Sequence, residues 1–108
     1  MNIVKRRNIL LICFLVHILM VTFLFFPFFS KDGNYYNIFS ALTTSLYKNT
    51  AYLIIFIYSM IIFISSLMTI FVGFMRIDSK IFYINFIFLG LTFISLIVLI
   101  IMTKIYLS

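Results

Sequence analysis

The chain carries little charge and almost no acidic residues. Of its 108 residues, 9% are charged, and only Asp32 and Asp78 are acidic. Soluble domains contain about a quarter charged residues, so this composition excludes a soluble core of this size. Tryptophan is absent, and the single cysteine, Cys13, excludes an internal disulfide. What remains is strongly apolar, with 66% hydrophobic residues and a mean hydropathy of +1.30.

Three long runs of the sequence contain no Asp, Glu, Lys or Arg. They extend over 9–29, 51–74 and 81–103. A helix rises about 1.5 Å per residue and a bilayer core needs roughly 20 apolar residues to cross it, so each run is long enough to span a membrane once. We therefore predict an all-α integral membrane protein, a single membrane domain over 1–108 with three transmembrane helices at these positions.

The first run follows Lys5, Arg6 and Arg7, which is also how a secretory signal peptide begins. The run is longer than the roughly 7–15 apolar residues of a signal peptide. No small-x-small cleavage site appears before Ser30. We therefore expect this run to remain in the protein as its first transmembrane helix.

Lysine and arginine residues are unevenly distributed around the three runs. The larger group is Lys5, Arg6, Arg7, Arg76 and Lys80, against Lys31, Lys48 and Lys104 on the other side. Because the side with more of them tends to stay cytoplasmic, we expect a multi-pass protein of the plasma membrane with its N-terminus in the cytoplasm and its C-terminus outside. The abundance of Ile, Phe, Asn, Lys and Tyr indicates an AT-rich coding sequence and favours a bacterial membrane. Basic residues on two sides of a bilayer form no single patch, so we expect contacts with anionic lipids and no nucleic-acid binding.

The segment between the first two runs contains a short amphipathic pattern. Tyr35, Phe39, Leu42 and Leu46 recur at helical spacing among polar residues, which predicts a helix over about 35–47. A helix of this length cannot cross a bilayer, so we expect it in the outer membrane–water interface, where tyrosines are favourable. It either covers the ends of the transmembrane helices, docks against a partner or gates access between helices. A re-entrant loop is a further alternative.

Small and polar residues form stripes within the second and third runs. They are Ser59, Ser66, Thr69 and Gly73, at spacings of 7, 3 and 4, and in the third run Asn85, Thr92 and Thr103, which lie nearly in line, with Ser95 to one side. Small residues let helices approach closely in lipid, so we predict helix packing or partner contact here. A polar path formed with other subunits is the alternative. Gly90 faces another direction and indicates a second close contact.

His17 is the only titratable side chain near the centre of a run, with Cys13 one turn before it on the same face. Both are possible functional polar residues. A proton relay normally has further acidic or histidine partners, and two ligands fall short of the four of structural zinc. We therefore expect a neutral histidine hydrogen-bonded to a neighbouring helix, with no metal and no cofactor.

Catalysis needs positioned partner groups. The two carboxylates, Asp32 and Asp78, are predicted on opposite sides of the membrane. His17 with a serine of the second run is a conceivable catalytic pair, but no Gly-x-Ser element, phosphate loop or dinucleotide motif accompanies it. We expect no enzyme activity and assign no catalytic residue.

These features favour non-enzymatic functions. We predict an accessory or interaction subunit of a larger membrane protein complex, bound through helix packing in the lipid bilayer. The alternative is a self-assembling small transporter or holin-like pore, which requires a homo-oligomer because three helices cannot enclose a water-filled passage. A membrane immunity protein, which blocks another membrane protein, shares the binding logic of the first class. The hydroxyl groups are too sparse for a coherent polar face, and this favours the accessory subunit.

Overall fold

A computed structural model of the protein describes residues 3–44, 49–76 and 79–108. Helix α1 covers Ile3–Phe25, α2 covers Ile38–Thr44, α3 covers Thr50–Met75 and α4 covers Ser79–Leu107, while strands β1 (Phe29–Lys31) and β2 (Asn34–Tyr36) lie between α1 and α2. The predicted helical class, with three long apolar helices, is confirmed, and α1, α3 and α4 are each long and apolar enough to cross a membrane.

Helix α1 begins and ends earlier than the predicted span of 9–29. It starts at Ile3, so the basic residues Lys5, Arg6 and Arg7 belong to its first turns. It ends at Phe25 because Pro27 has no amide hydrogen and its ring disfavours helical geometry in the residue before it. The Phe26 amide still donates to the Thr22 carbonyl at 3.0 Å, which closes the last turn.

The predicted helix over 35–47 is wrong at its beginning, because Tyr35 lies in a β-hairpin. Asp32 and Gly33 have φ angles of 54° and 82°, and these left-handed conformations form the tight two-residue turn that joins antiparallel strands. Lys31 pairs with Asn34 next to the turn. The helix begins only after Asn37, whose side-chain oxygen accepts from the Ser40 amide, while the Ser40 hydroxyl accepts from the Asn37 amide at 3.1 Å.

The inward face of α2 agrees with the predicted apolar face only at Leu42. Its buried residues are Ile38, Ala41 and Leu42, whereas Phe39 is 41% exposed. Leu46, the last residue of the predicted face, lies outside the described part of the chain. Ile38 and Leu42 join a core cluster with residues of the three long helices, among them Leu24, Phe56 and Leu99. Helix α2 therefore closes one end of the bundle.

The long helices form an elongated bundle of 52 × 25 × 17 Å. Helices α3 and α4, joined by a short connection, make the most extensive contact, and α1 packs against both. The Asn49 side chain caps α3 by accepting from the Ala51 amide at 3.0 Å. The outward faces carry large aliphatic side chains such as Leu19, Ile64 and Ile87, each about 60% or more exposed. This apolar exterior is consistent with a multi-pass membrane protein.

Candidate functional site

The interior of the bundle contains most of the polar residues that the sequence stripes predicted. Fully or nearly fully buried polar side chains are those of His17, Ser59, Ser66, Asn85, Thr92, Ser95 and Thr103. Gly73 and Cys13 are buried as well, and Thr69 is half-buried. We call this set the polar seam. The residues predicted for helix packing or partner contact therefore lie between the helices of one chain, where an outside partner does not reach them.

The central contact of the polar seam joins α1 to α3. The His17 Nδ1 atom lies 3.5 Å from the Ser66 hydroxyl oxygen, and both residues are 1% exposed. The His17 ring also packs against the ring of Phe63, with centroids 5.8 Å apart. Cys13 is buried one turn away on α1. The serine–histidine pair that the sequence made conceivable is thus close in space, although its two members are 49 residues apart.

The geometry of this pair suits an interhelical contact better than a nucleophile. A catalytic serine needs a base oriented by a third group and a path for its substrate. Ser66 is 1% exposed and does not line the two hollows beside His17 at the junction of α1 and α3. Within the same part of the chain, Cys13 and His17 meet no third metal-ligating side chain. A buried hydrogen bond between two helices is what this arrangement supplies.

A second contact of the polar seam brings three helices together near the end of α3. A β-carbon added to Gly73 would lie 2.7 Å from the Asn85 side-chain nitrogen and 3.4 Å from both terminal methyl carbons of Leu10. With any larger residue at this position, the Asn85 side chain would have to move. The Asn85 nitrogen donates to the Ile81 carbonyl of its own helix at 2.9 Å, and its buried oxygen has no hydrogen-bond partner among the described residues.

The threonine hydroxyls of the polar seam are satisfied within their own helices. Thr69 donates to Ser65, Thr92 to Phe88 and Thr103 to Leu99, each to the carbonyl one turn earlier at 2.7–2.8 Å. A hydroxyl that bonds its own backbone presents mainly its methyl group to a neighbouring helix. These positions therefore contribute close packing, whereas the contact of Ser66 with His17 crosses between helices.

Gly90 differs from the other small residues of the stripes because it is exposed. It lies in the middle part of α4 on an outward face, and an added β-carbon would meet no atom within 4 Å. Phe86 and Ile87 precede it by one turn and Phe93 and Ile94 follow it by one turn, all of them exposed. The outward face of α4 thus has a shallow depression at Gly90, bordered by bulky side chains.

The sequence did not predict some of the contacts within the bundle. Leu10 was not singled out, because nothing local distinguishes it from the other leucines of α1. The inward face of α2, with Ile38, Ala41 and Leu42, follows the i, i+3, i+4 spacing of a helix face. That signal was present, but the longer pattern from Tyr35 to Leu46 concealed it.

Comparisons with known proteins found no relative of this chain. No protein-family model, no curated protein and no solved structure matches the chain. The function is therefore argued from two features of the molecule. One is the polar seam, which is enclosed within the bundle, and the other is the depression at Gly90, which is open on the surface.

Proposed function

We propose that the protein is a small multi-pass membrane protein that binds a second membrane protein through the outward face of α4 around Gly90. The observation that carries this proposal is the exposure of Gly90. In lipid, helices associate largely through close packing at small residues, because apolar surface gains nothing by leaving lipid for protein. Gly73 already serves this purpose inside the bundle. At Gly90, by contrast, an added β-carbon would meet no atom of the described residues within 4 Å.

A glycine in the interior of α4 lowers the stability of the helix, so we expect Gly90 to have another role. Glycine in a helix interior is about 1 kcal/mol less favourable than alanine. At Gly90 there is open space, so nothing within the described bundle requires the missing side chain. A partner helix packed across the depression would contact the exposed borders at Ile87 and Ile94 as well. We propose that packing of this kind, between α4 and a helix of the partner, holds this protein in the complex as an accessory subunit.

Charge at the two ends of the bundle supports the proposed orientation in the plasma membrane. The N-terminal turns of α1 carry Lys5, Arg6 and Arg7, and Arg76 and Lys80 flank the connection from α3 to α4. Lys31, in the hairpin, and Lys104, in the last turn of α4, belong to the opposite end. From the positive-inside tendency we propose that the N-terminus lies in the cytoplasm and the hairpin outside.

A labelling experiment tests this orientation. A cysteine introduced by Asn34→Cys, in the exposed hairpin, should react with an impermeant maleimide added to intact cells. A cysteine introduced by Asn8→Cys, exposed near the start of α1, should react only after lysis. The buried native Cys13 serves as the background. The reverse pattern would contradict the orientation.

The surface of the bundle gives less support to the pore or transporter alternative. A homo-oligomeric pore needs a continuous polar face to line its passage. Within the described parts of the long helices, exposed polar side chains include Thr22, Tyr58 and Tyr83, which belong to three different helices. The Thr22 hydroxyl also donates to the Ile18 carbonyl of its own helix. A membrane immunity protein would use the same α4 surface, and only the identity of the partner separates it from an accessory subunit.

The test is co-purification of a tagged chain after gentle extraction from its native membrane. We expect a stoichiometric larger membrane protein in the purified material, and we expect Gly90→Ile to remove it. The matched control is Leu91→Ile, which changes the shape of the exposed neighbour at constant volume and should retain the partner. Because an added β-carbon at Gly90 would meet no described atom within 4 Å and the residue faces outward, we expect the variant to fold.

Two results of this experiment would contradict the proposal. A homogeneous homo-oligomer without another protein would favour the pore or transporter, and ion or solute flux in liposomes would then be measured. A partner that remains bound to the Gly90→Ile variant would show that another surface of the chain makes the contact.

A further inference from the structure

An apolar groove runs along the junction of α1 and α3. Two adjoining cavities of about 270 and 230 Å³ share His17, Val21 and Leu67 in their walls. The groove reaches Phe14 and Phe71 at one end and Phe25 and Phe39 at the other. We propose that this α1–α3 groove binds one acyl chain of a membrane lipid. The inference rests on the membrane insertion proposed above and is independent of the partner at Gly90.

The walls of the α1–α3 groove offer very few polar atoms to an occupant. Its polar side chains are those of His17 and Thr22. Thr22 donates to the Ile18 carbonyl at 2.9 Å, and His17 is 1% exposed with its Nδ1 atom directed at Ser66. A bound water needs two to four polar partners, and a polar ligand needs complementary groups. The chemistry of the walls therefore favours a hydrocarbon.

The dimensions of the groove suit one acyl chain. From Phe14 to Phe25 the distance along α1 is about 16 Å, roughly half the thickness of a bilayer core. Because a cavity of about 150 Å³ holds one benzene ring, the two cavities together have room for roughly 20 carbon atoms. One acyl chain therefore fits both the length and the volume of the groove.

The open end of the groove indicates the leaflet from which the chain enters. Val21, Thr22 and Phe25 continue from the groove into a further hollow of about 310 Å³ bordered by Phe26 and Pro27. This hollow lies where α1 ends and the hairpin begins. A lipid of the leaflet on the hairpin side can therefore place its tail in the groove while its headgroup stays beyond Pro27.

A photoreactive lipid tests the proposal on the unmodified protein. The probe is a phosphatidylcholine with a diazirine near the end of one acyl chain, titrated into detergent micelles that contain the purified chain. Cross-links are mapped by mass spectrometry. We expect labelling at Ile18 and Leu67 to saturate at a single lipid per chain, because a site has finite capacity. Labelling at Ile94, on the outward face of α4, should rise in proportion to the probe.

A pair of variants sharpens the test. Val21→Trp places a bulky ring in the groove, because Val21 lines all three adjoining hollows. Labelling of the groove should fall by about tenfold, the factor expected when overpacking weakens binding. The control, Leu19→Trp, substitutes a side chain that is 69% exposed on α1 and lines none of these hollows. It should leave groove labelling unchanged.

Each other outcome overturns the proposal or separates it from the proposed function. Labelling of the groove that rises in proportion to the probe, as on α4, would show ordinary surrounding lipid and no site. Cross-links between two chains at the groove would show that a second copy covers it. If Val21→Trp does not fold, the titration of the photoreactive lipid into the wild-type protein still shows whether labelling of the groove saturates. If alkaline carbonate extracts the protein from native membranes, membrane insertion itself fails, and the proposed function fails with it.

Discussion

The two ends of the bundle solve the same packing problem in opposite ways. At the end where α1 begins, near Arg6 and Arg7, the helices α1, α3 and α4 approach closely, with Gly73 between Asn85 and Leu10. At the hairpin end the short helix α2 contacts all three long helices and fills the space between them with Ile38 and Leu42, both 0% exposed. At the first end the helices pack closely because Gly73 has no side chain, and at the other end the short helix α2 fills the space between them. The difference predicts opposite responses to changes of side-chain size.

The largest effect is expected at the hairpin end, where volume is removed. Leu42→Ala should destabilise the fold by about 3 kcal/mol, because truncating a fully buried leucine leaves a cavity and α2 is too short to be stable without its packing. Reversible unfolding in mixed micelles with dodecyl sulfate measures the change.

Leu19→Ala is the control for this variant, because Leu19 is 69% exposed. It should shift the unfolding midpoint little. Equal losses in the two variants would show that α2 is not the filler of the bundle end.

The next effect is expected at the opposite end, where volume is added. Gly73→Ala should cost about 2 kcal/mol, because the new methyl group would lie within 3 Å of the Asn85 nitrogen and would force this side chain off its bond to the Ile81 carbonyl. Gly90→Ala is the matched control and should be neutral or slightly stabilising, since its β-carbon meets open space. The same unfolding assay measures both variants.

A double-mutant cycle isolates the cause of the Gly73 effect. Asn85→Ala removes the nitrogen that the new methyl group approaches, so Gly73→Ala should cost less in that background. If the two changes are simply additive, the contact between Gly73 and Asn85 does not set the spacing of the helices.

A smaller effect is expected in the hairpin turn. Gly33→Ala should cost about 1 kcal/mol, because φ at this residue is 82° and a β-carbon disfavours that region even though the surrounding space is open. Ser30→Ala, in the exposed part of β1, is the control. Amide hydrogen exchange of the hairpin should increase in the glycine variant alone. Unchanged exchange would mean that the turn does not depend on the left-handed conformation.

The smallest effect is expected at the centre of the polar seam. Ser66→Ala should cost about 0.6 kcal/mol, the mean value for an interhelical hydrogen bond in a membrane protein. The 3.5 Å separation from His17 is long for such a bond, which also argues for a small value. A loss as large as that of Leu42→Ala would show that the pair carries the stability of the α1–α3 contact.

Much of the secondary structure was predictable because its causes are local. The charge-free runs predicted α3 and α4 to within a few residues, and their termini differ mainly because helical turns extend past the apolar stretch. Pro27 ended α1 before Phe29, although the apolar run continues beyond it. The turn of the hairpin was also encoded locally, in Asp32-Gly33, but the amphipathic pattern that follows assigned Tyr35 to a helix and so missed the second strand. The extent of α2 past Thr44 stays a prediction.

The candidate site was predictable in composition and not in location. Ser59, Ser66, Gly73, Asn85 and Thr92 were identified as packing residues, and the structure places all of them inside one chain. Spacing along a single helix cannot say whether a small-residue face meets a neighbour within the chain or a partner outside it. The pairing of His17 with Ser66 required the relative rotation and depth of α1 and α3, which no local pattern contains.

The sequence by itself determined that three long apolar helices form, where Pro27 stops the first of them and how Asp32-Gly33 turns the chain. These outcomes follow from hydrogen bonding and backbone sterics within a few residues. Only the tertiary structure decided which helix faces turn inward, because these helices are apolar nearly all round and a weak amphipathic pattern does not select a face. Packing of Gly73 against Asn85, insertion of α2 and exposure of Gly90 are consequences of that choice.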